Sequence, residues 1–151
     1  IEDYSGTPAA NISNYSAGIA YFNLKKYDLA IKYLNDFSSD DEFLGTLALS
    51  TIGDSFVQLN QLNDGLNYYE KALSATSNSF LRPIILDKSG SICLKLNKKN
   101  KAKKYFEEMN KLNNSFGFID LSMGMSSDYL IAAEHLATYV RIGSSIFGHR
   151  S

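Results

Sequence analysis

The chain has 151 residues, of which 44% are hydrophobic and 21% charged, and its formal net charge is −1. These values are ordinary for a globular chain and predict one domain, or one domain with an appendage. No apolar run approaches the roughly 20 residues that span a membrane, and the N-terminus does not resemble a signal peptide. Because the first residue is Ile1 rather than Met, we expect the chain to be a fragment or a processed product.

The charge is unevenly distributed along the chain. Residues 1–75 carry 4 Lys and 10 Asp/Glu, a net −6, whereas residues 76–151 carry 11 Lys/Arg and 6 Asp/Glu, a net +5. Such a charge dipole can orient a partner. The single cysteine, Cys93, cannot form an internal disulfide, and we expect it to be a small buried hydrophobe rather than a reactive thiol.

Three segments of the chain align without gaps. They read NISNYSAGIAYFNLKKYDLAIKYLNDF (11–37), TLALSTIGDSFVQLNQLNDGLNYYEKA (46–72) and PIILDKSGSICLKLNKKNKAKKYFEEM (83–109), at spacings of 35 and 37 residues. Each has Gly at its eighth position, a small residue at its twentieth and a large apolar residue at its twenty-fourth. These residues are Gly18, Gly53 and Gly90; Ala30, Gly65 and Ala102; and Leu34, Tyr69 and Phe106. Because the apolar residues recur at helical spacing, the pattern predicts pairs of closely packed antiparallel helices.

This pattern resembles the tetratricopeptide repeat, which has a period of about 34 residues and small and aromatic residues at these places. The resemblance covers residues 11–112 and implies an all-α fold, a right-handed α-solenoid of three helix pairs. We predict a solenoid over residues 1–114, with repeats at 11–44, 46–80 and 83–114, and a C-terminal cap or remnant over 115–151. The sequence departs from the family in having no Trp at the fourth position and no Pro after the second helix of each pair.

In this family the first helix of each repeat lines a concave groove. The resemblance places at groove positions 5, 9, 12 and 13 the residues Tyr15, Ile19, Phe22 and Asn23, then Ser50, Asp54, Val57 and Gln58, then Asp87, Ser91, Leu94 and Lys95. Two interpretations remain open. The side chains bind an extended or helical peptide, or several of them pack against neighbouring repeats. Family members that clamp a peptide carboxylate have Lys and Asn where Tyr15 and Ile19 stand here, so such a clamp is not expected.

The run KLNKKNKAKK holds six lysines between Lys95 and Lys104. The repeat register places it on the turn between the two helices of repeat three. We interpret it as a solvated turn, with an anionic partner such as nucleic acid or lipid as the alternative. Tyr105 and Phe106 follow the run, but the repeat pattern assigns them to the core, so nucleic acid is not expected as a partner. His135 and His149 are too far apart to predict a metal site.

The repeat pattern stops after Asn114. FGFIDLSMGMSSD is consistent with a strand and a turn, SDYLIAAEHLA with a short helix capped by Ser127 or Asp128, and TYVRIGSSIFG with a second strand that turns at Gly143. The predicted order is therefore strand, helix, strand. The stretch from Asp128 to Tyr139 would also serve as an amphipathic helix that covers the open end of repeat three.

The stretches LSMGMSSD and VRIGSSIFG resemble the end of the pyridoxal-phosphate homeostasis protein family, whose members are alanine-racemase-like barrels. The resemblance covers residues 121–150 and implies two phosphate-binding loops, one with Ser122, Met125 and Ser126, the other with Arg141, Gly143 and Ser144. The family usually has Gly where Leu136 stands, and a Cβ makes a left-handed helix end costlier.

The family's Schiff-base lysine lies on the first barrel strand, which has no counterpart here, and two strands cannot close a barrel. We therefore expect no enzyme activity and no bound cofactor. Pyridoxal 5′-phosphate is the alternative, on a remnant or fusion junction.

The predicted function is a non-catalytic scaffold that binds a protein or peptide in the groove. The first repeat and its approach also resemble bacterial membrane-tethered repeat proteins, which implies the bacterial cytoplasm or a tether at the cell envelope by an upstream anchor. The sequence leaves the oligomeric state open.

Overall fold

The structure is a computed structural model, and it describes residues 7–125, 129–134 and 136–142. Its elements follow in chain order. They are α1 (Pro8–Asn23), α2 (Tyr27–Asn35), α3 (Glu42–Gln58), α4 (Leu62–Ala75), α5 (Leu81–Lys95), α6 (Lys99–Ser115), β1 (Ser122–Met125), α7 (Tyr129–Glu134) and β2 (Tyr139–Arg141). The chain divides into two compact units, Ile1–Arg82 and Pro83–Ser151. The predicted all-α class of helix pairs is confirmed, with a short strand–helix–strand segment at the C-terminal side.

Local sequence explains where the helices begin. Thr7 caps α1 by accepting a 3.1 Å hydrogen bond from the N–H of Ala10, and Pro8 occupies the first helical position, where its missing N–H has no cost. Asp41 caps α3 in the same way, with 2.8 Å between its Oδ1 and the N–H of Leu44. Asn78 accepts hydrogen bonds from the N–H groups of Phe80 and Leu81, where α5 begins.

The turns inside the three helix pairs share one backbone conformation. The residue after the first helix's cap is left-handed in each pair, with φ of 59° at Lys25, 60° at Asn60 and 56° at Asn97. In each pair this residue and the next donate backbone hydrogen bonds back into the first helix, as in a Schellman motif. The turn is therefore held by the backbone, and Asn at two of the three positions tolerates the conformation.

The glycines at the eighth repeat position allow the two helices of each pair to touch. A Cβ added to Gly53 would lie 2.6 Å from the ring of Tyr69, and one added to Gly90 would lie 2.7 Å from the ring of Phe106. Gly18 faces Leu34 in the same manner. The large partners are buried, as the register predicts.

Unit one, Ile1–Arg82, contains α1 to α4 and the start of α5. One cluster of its buried core consists of Leu34, Phe37, Ala48 and Ile52, and it joins the two helix pairs of this unit. The connector from α4 to α5 is held by Glu42, at the head of α3. Its Oε1 accepts hydrogen bonds from Thr76 Oγ1 at 2.8 Å, from the N–H of Ser77 at 2.7 Å and from the N–H of Asn78 at 3.0 Å.

Unit two, Pro83–Ser151, contains the remainder of α5, then α6 and the C-terminal segment. The buried side chains of its helix pair include Ile85, Leu86, Ile92, Cys93 and Phe106, so the prediction of a buried Cys93 is confirmed.

In the C-terminal segment, β1 and β2 pair in parallel, with Ser122 opposite Tyr139 and Met125 opposite Arg141. The strand–helix–strand prediction is confirmed in this described part. The alternative of a long helix up to Tyr139 is wrong, because α7 ends at Glu134 and Tyr139 begins β2. The proposed caps Ser127 and Asp128 lie outside the described residues. Leu136 is left-handed, with φ of 67°, at the end of α7.

Candidate peptide-binding surface

The groove positions of repeat one divide between core and surface. Tyr15 and Ile19 pack against the core cluster of unit one, and the ring centroids of Tyr15 and Phe37 are 5.0 Å apart. Phe22 is half-buried and meets the edge of Tyr27 at 5.7 Å between centroids, while Asn23 is exposed at the end of α1. The last two residues therefore present side chains at the surface of the first helix.

The groove positions of repeat two divide in the same way. Ser50 is buried, with 7% of its surface exposed, and Val57 is half-buried beside Gly65. Asp54 is half-buried and accepts a 2.5 Å hydrogen bond from the hydroxyl of Tyr69. Gln58 is exposed at the C-terminal end of α3.

The Tyr69 hydroxyl is held in its protonated form. Burial raises its pKa, and the nearby Asp54 carboxylate raises it further by its negative charge and by accepting the hydrogen bond. The pair therefore links the two helices of repeat two by a hydrogen bond from a neutral donor to a carboxylate, which is stronger than one between two neutral groups. Asp54 thus has a structural contact in addition to its place among the predicted groove residues.

The groove positions of repeat three lie in unit two. Asp87 forms an ion pair with Arg141 of β2, between Oδ2 and Nη2, and 17% of the Asp87 side chain is exposed against 53% for Arg141. Ser91 and Leu94 are half-buried, and Lys95 is exposed at the end of α5. The C-terminal segment therefore contacts a groove position of the last repeat.

This contact was not predicted from the sequence. Asp87 was assigned to the groove and Arg141 to a phosphate loop, and they lie 54 residues apart. Opposite charge is the only signal that connects them, and it is shared by many pairs in a chain with 15 basic and 16 acidic residues.

The lysine-rich run forms the end of α5, the turn and the start of α6. Its members Lys95, Lys98, Lys99, Lys101, Lys103 and Lys104 are all exposed, as a solvated turn requires. Phe106 is fully buried, so its assignment to the core is confirmed. The first turn of α6 contains no acidic residue, whereas Asp28 and Asp64 lie in the first turns of α2 and α4.

A second surface, which was not identified from the sequence, lies along α4. It is an open depression of about 740 Å³ lined by Asp64, Asn67, Tyr68, Glu70, Lys71, Ser74 and Ala75. The ammonium of Lys71 lies 4.2 Å from the centroid of the Tyr68 ring, and the Tyr68 hydroxyl donates a 3.0 Å hydrogen bond to Asn35. The aromatic residue of this lining, Tyr68, is therefore already in contact with Lys71 and Asn35.

The part of the chain that the structure describes has neither a metal-binding cluster nor a membrane-spanning helix. There, no three His, Cys, Asp or Glu side chains are grouped so that they could hold a metal ion. Across the same residues, no helix combines the length and apolar character needed to cross a membrane.

Three of the residues predicted to bind the phosphate of pyridoxal 5′-phosphate are described, namely Ser122, Met125 and Arg141. Ser122 is exposed and Met125 lies in β1, while Ser126, Gly143 and Ser144 lie outside the described residues. Arg141 is the predicted phosphate ligand with a charge, and its guanidinium is paired with the Asp87 carboxylate. A phosphate there would meet a carboxylate of its own charge sign. The described residues therefore do not fit the cofactor.

Comparison with known proteins identifies relatives for both regions. A family model described as tetratricopeptide repeat matches residues 13–37, 48–79 and 85–116, which together make up more than half of the chain. The pyridoxal phosphate homeostasis protein of Schizosaccharomyces pombe is 58% identical over 40 residues in the C-terminal region. The matched residues make up 26% of this chain and 17% of the relative, so the match spans only a small part of the relative's length. Both resemblances are confirmed at this level, while the likeness to membrane-tethered repeat proteins stays a prediction.

Proposed function

Since this chain belongs to the tetratricopeptide repeat family, we propose that it is a non-catalytic module that binds a peptide segment of a partner protein. The observation that carries the proposal is the set of three helix pairs, each matched to an interaction repeat and each closed by the same glycine contact. The repeats indicate protein partners. The proposed activity is binding alone, at the faces of the first helices.

The side chains that would bind the peptide are those that the core does not use. Phe22 and Asn23 in α1 and Gln58 in α3 are half-buried or exposed, and α1 packs beside α3 in unit one. An aromatic ring supplies apolar contact area, and two amides each supply donors and an acceptor for a peptide backbone. Tyr15, Ile19 and Ser50 serve the fold first, so their substitution would mix loss of binding with loss of stability.

Selection of peptides from a displayed random library against the purified chain tests this proposal. The affinity of a selected peptide is then measured for the chain and for the double variant Asn23→Ala/Gln58→Ala. We expect the double variant to bind at least about fivefold more weakly, which corresponds to roughly 1 kcal/mol. Both side chains are exposed, so the melting temperature should change little.

Asn67→Ala is the control for this experiment. Asn67 is an exposed amide on α4, the second helix of repeat two, and it lines the depression there. It should bind the selected peptide as the unchanged chain does. If Asn67→Ala weakens binding as much as the double variant does, the assignment of the binding site to the groove is refuted. If no peptide can be selected, the proposed peptide-binding function is refuted.

A further inference from the structure

The first helix of repeat three carries its groove positions on one stripe. Asp87, Ser91, Leu94 and Lys95 are spaced four, three and one residues apart, which places them along one side of α5 over about 12 Å. Asp87 is the acidic member of this stripe, and Arg141 neutralises it from β2. The guanidinium remains more than half exposed beside the carboxylate. The stripe therefore has a neutral ion pair at one end, Asp87 with Arg141, and an exposed cation at the other, Lys95.

The surroundings of this stripe are basic. From Lys88 to Phe106 the chain carries seven lysines and no Asp or Glu; Glu107 and Glu108 follow, and Glu107 pairs with Lys103 at 3.9 Å. Lys98 and Lys99 follow the stripe directly, in the turn between α5 and α6, and both are exposed. The Debye length is about 10 Å at moderate ionic strength, so these neighbouring charges act together on an approaching ligand. We define the basic surface as Lys95, Lys98 and Lys99.

We infer that the basic surface binds an acidic peptide segment, one that carries Asp or Glu side chains. This inference rests on the proposed function and specifies the partner's chemistry at repeat three. Lysine and arginine attract carboxylates, and complementary charge sets the choice of partner and the rate of association. Single-stranded nucleic acid is disfavoured, because its bases stack on accessible aromatic rings, and of the two rings that follow the lysine run Tyr105 is half-buried and Phe106 is fully buried.

Substitution of the two members of the ion pair should change binding in opposite directions. Arg141→Gln removes a cation and uncovers the Asp87 carboxylate, so a Glu-rich peptide should bind about threefold more weakly. Asp87→Asn removes the anion and leaves the Arg141 charge uncompensated, so the same peptide should bind about threefold more tightly; both figures follow the usual strength of exposed charge pairs. If the pair only holds the C-terminal segment in place, both variants will lower binding or leave it unchanged.

A fluorescein-labelled Glu-rich peptide, measured by fluorescence anisotropy with the full chain, provides the assay. The same peptide with Gln in place of every Glu is the ligand control, and it should bind much more weakly. Lys95→Gln/Lys99→Gln should weaken binding of the Glu-rich peptide about fivefold at low salt, with a smaller effect at high salt, because both lysines are exposed charges. Lys32→Gln/Lys71→Gln, with two lysines from α2 and α4, is the protein control and should cause little change.

The outcomes separate this inference from the proposed function. It is refuted if the Glu-rich peptide does not bind, if the basic and control variants bind equally, or if a single-stranded RNA oligonucleotide binds more tightly than the peptide. Should library-selected peptides still depend on Asn23 and Gln58 in that case, the proposed function stands and only the acidic partner is wrong. Lys95→Gln/Lys99→Gln leaves the ion pair intact, so the test does not depend on how Asp87→Asn affects folding.

Discussion

The turns of the repeats and the end of α7 place different residues in the same left-handed conformation. Lys25, Asn60 and Asn97 adopt it in the repeats, whereas Leu136 adopts it in the C-terminal segment. Asn tolerates this conformation because its short polar side chain bonds locally, but for a residue such as Leu it costs roughly 1–2 kcal/mol. The repeats thus carry residues that suit two of their three turns, while the C-terminal segment keeps a helix end that its own residue disfavours.

The two regions also differ in how far their large apolar side chains are buried. In the repeats, Tyr69 and Phe106 are buried against glycines. In the C-terminal segment, Ile119, Leu130 and Leu136 are largely exposed, although Met123 and Ala132 are buried. Local residue choice thus agrees with the fold at the glycine contacts of the repeats, whereas exposed large apolar side chains, which also occur in the repeats as Leu24 and Phe80, are concentrated between Phe116 and Tyr139. Such agreement is what makes a sequence specify one structure.

The largest loss of stability is expected from a substitution at the tight contact between the two helices of repeat two. Gly53→Leu places a side chain where even a Cβ would lie 2.6 Å from the Tyr69 ring, so the helix pair must separate. We expect a loss of about 3 kcal/mol in the free energy of unfolding, measured by urea denaturation. Gly45→Ala is the control, since its new Cβ would meet only the Ser39 carbonyl at 3.7 Å. It should be neutral or stabilising, and equal midpoints for both variants would show that the repeat register is wrong.

A smaller loss of stability is expected when the hydrogen bond between the helices of repeat two is removed. Tyr69→Phe removes the hydroxyl that donates to the half-buried Asp54 carboxylate. The loss should be about 1–2 kcal/mol, because the bond has a charged acceptor. Tyr68→Phe removes a hydroxyl that bonds to Asn35 at the surface and should cost less. Thermal denaturation of both variants checks the order, and a larger loss from Tyr68→Phe would contradict it.

The C-terminal segment offers the opposite test, a substitution that stabilises. Leu136→Gly relieves the left-handed strain at the end of α7, where the leucine side chain is largely exposed. We expect the local stability of residues 129–142 to rise by about 1 kcal/mol, seen as slower amide hydrogen exchange. Asn60→Gly changes a residue that already tolerates the conformation and should gain less. Faster exchange in Leu136→Gly would show that the side chain contributes contacts that outweigh the strain.

The smallest effect concerns the connector held by Glu42. The hydrogen bond from the Thr76 hydroxyl, followed by those from the Ser77 and Asn78 backbone, lowers the pKa of this carboxyl. A carboxyl with a lower pKa in the folded state stabilises the fold above its unfolded pKa, about 4.3 for Glu, and this contribution is lost as the pH falls through the folded pKa. Glu42→Gln should therefore lower stability slightly at neutral pH and reduce the loss of stability on acidification. Melting temperatures at neutral and acidic pH measure this, and parallel pH curves for the two proteins would contradict it.

The repeat register could be predicted because it depends on short-range patterns. Glycine opposite a large side chain and apolar residues at helical spacing fix which helices pair, and Gly53 with Tyr69 illustrates this. The division of groove positions could not be predicted in the same way. Tyr15 and Phe22 lie on the same helix, and only the packing of the next repeat separates the residue in the core from the one at the surface.

The C-terminal segment shows a second feature of the structure that could not be predicted from the sequence. Its strand–helix–strand order follows from local composition, and the cost of Leu136 follows from the resemblance to a family that usually has Gly at this place. The contact between Arg141 and Asp87 depends on how the segment lies against α5, which local composition does not determine. The end of α7 at Glu134 likewise follows from the pairing of β2 with β1, which removes Tyr139 from the helix.

The left-handed turn residues also show where the chain tolerates changes in length. Each lies seven residues after the repeat glycine and nine before the large partner, as in Gly53, Asn60 and Tyr69. The two-residue difference between the repeat spacings of 35 and 37 therefore falls between the large partner of one repeat and the glycine of the next, where α4 continues six residues past Tyr69 and α2 only one residue past Leu34. Changes in length are compatible with this architecture in that interval, whereas one added residue between glycine and partner would rotate the second helix by about 100° and turn its large side chain away from the glycine.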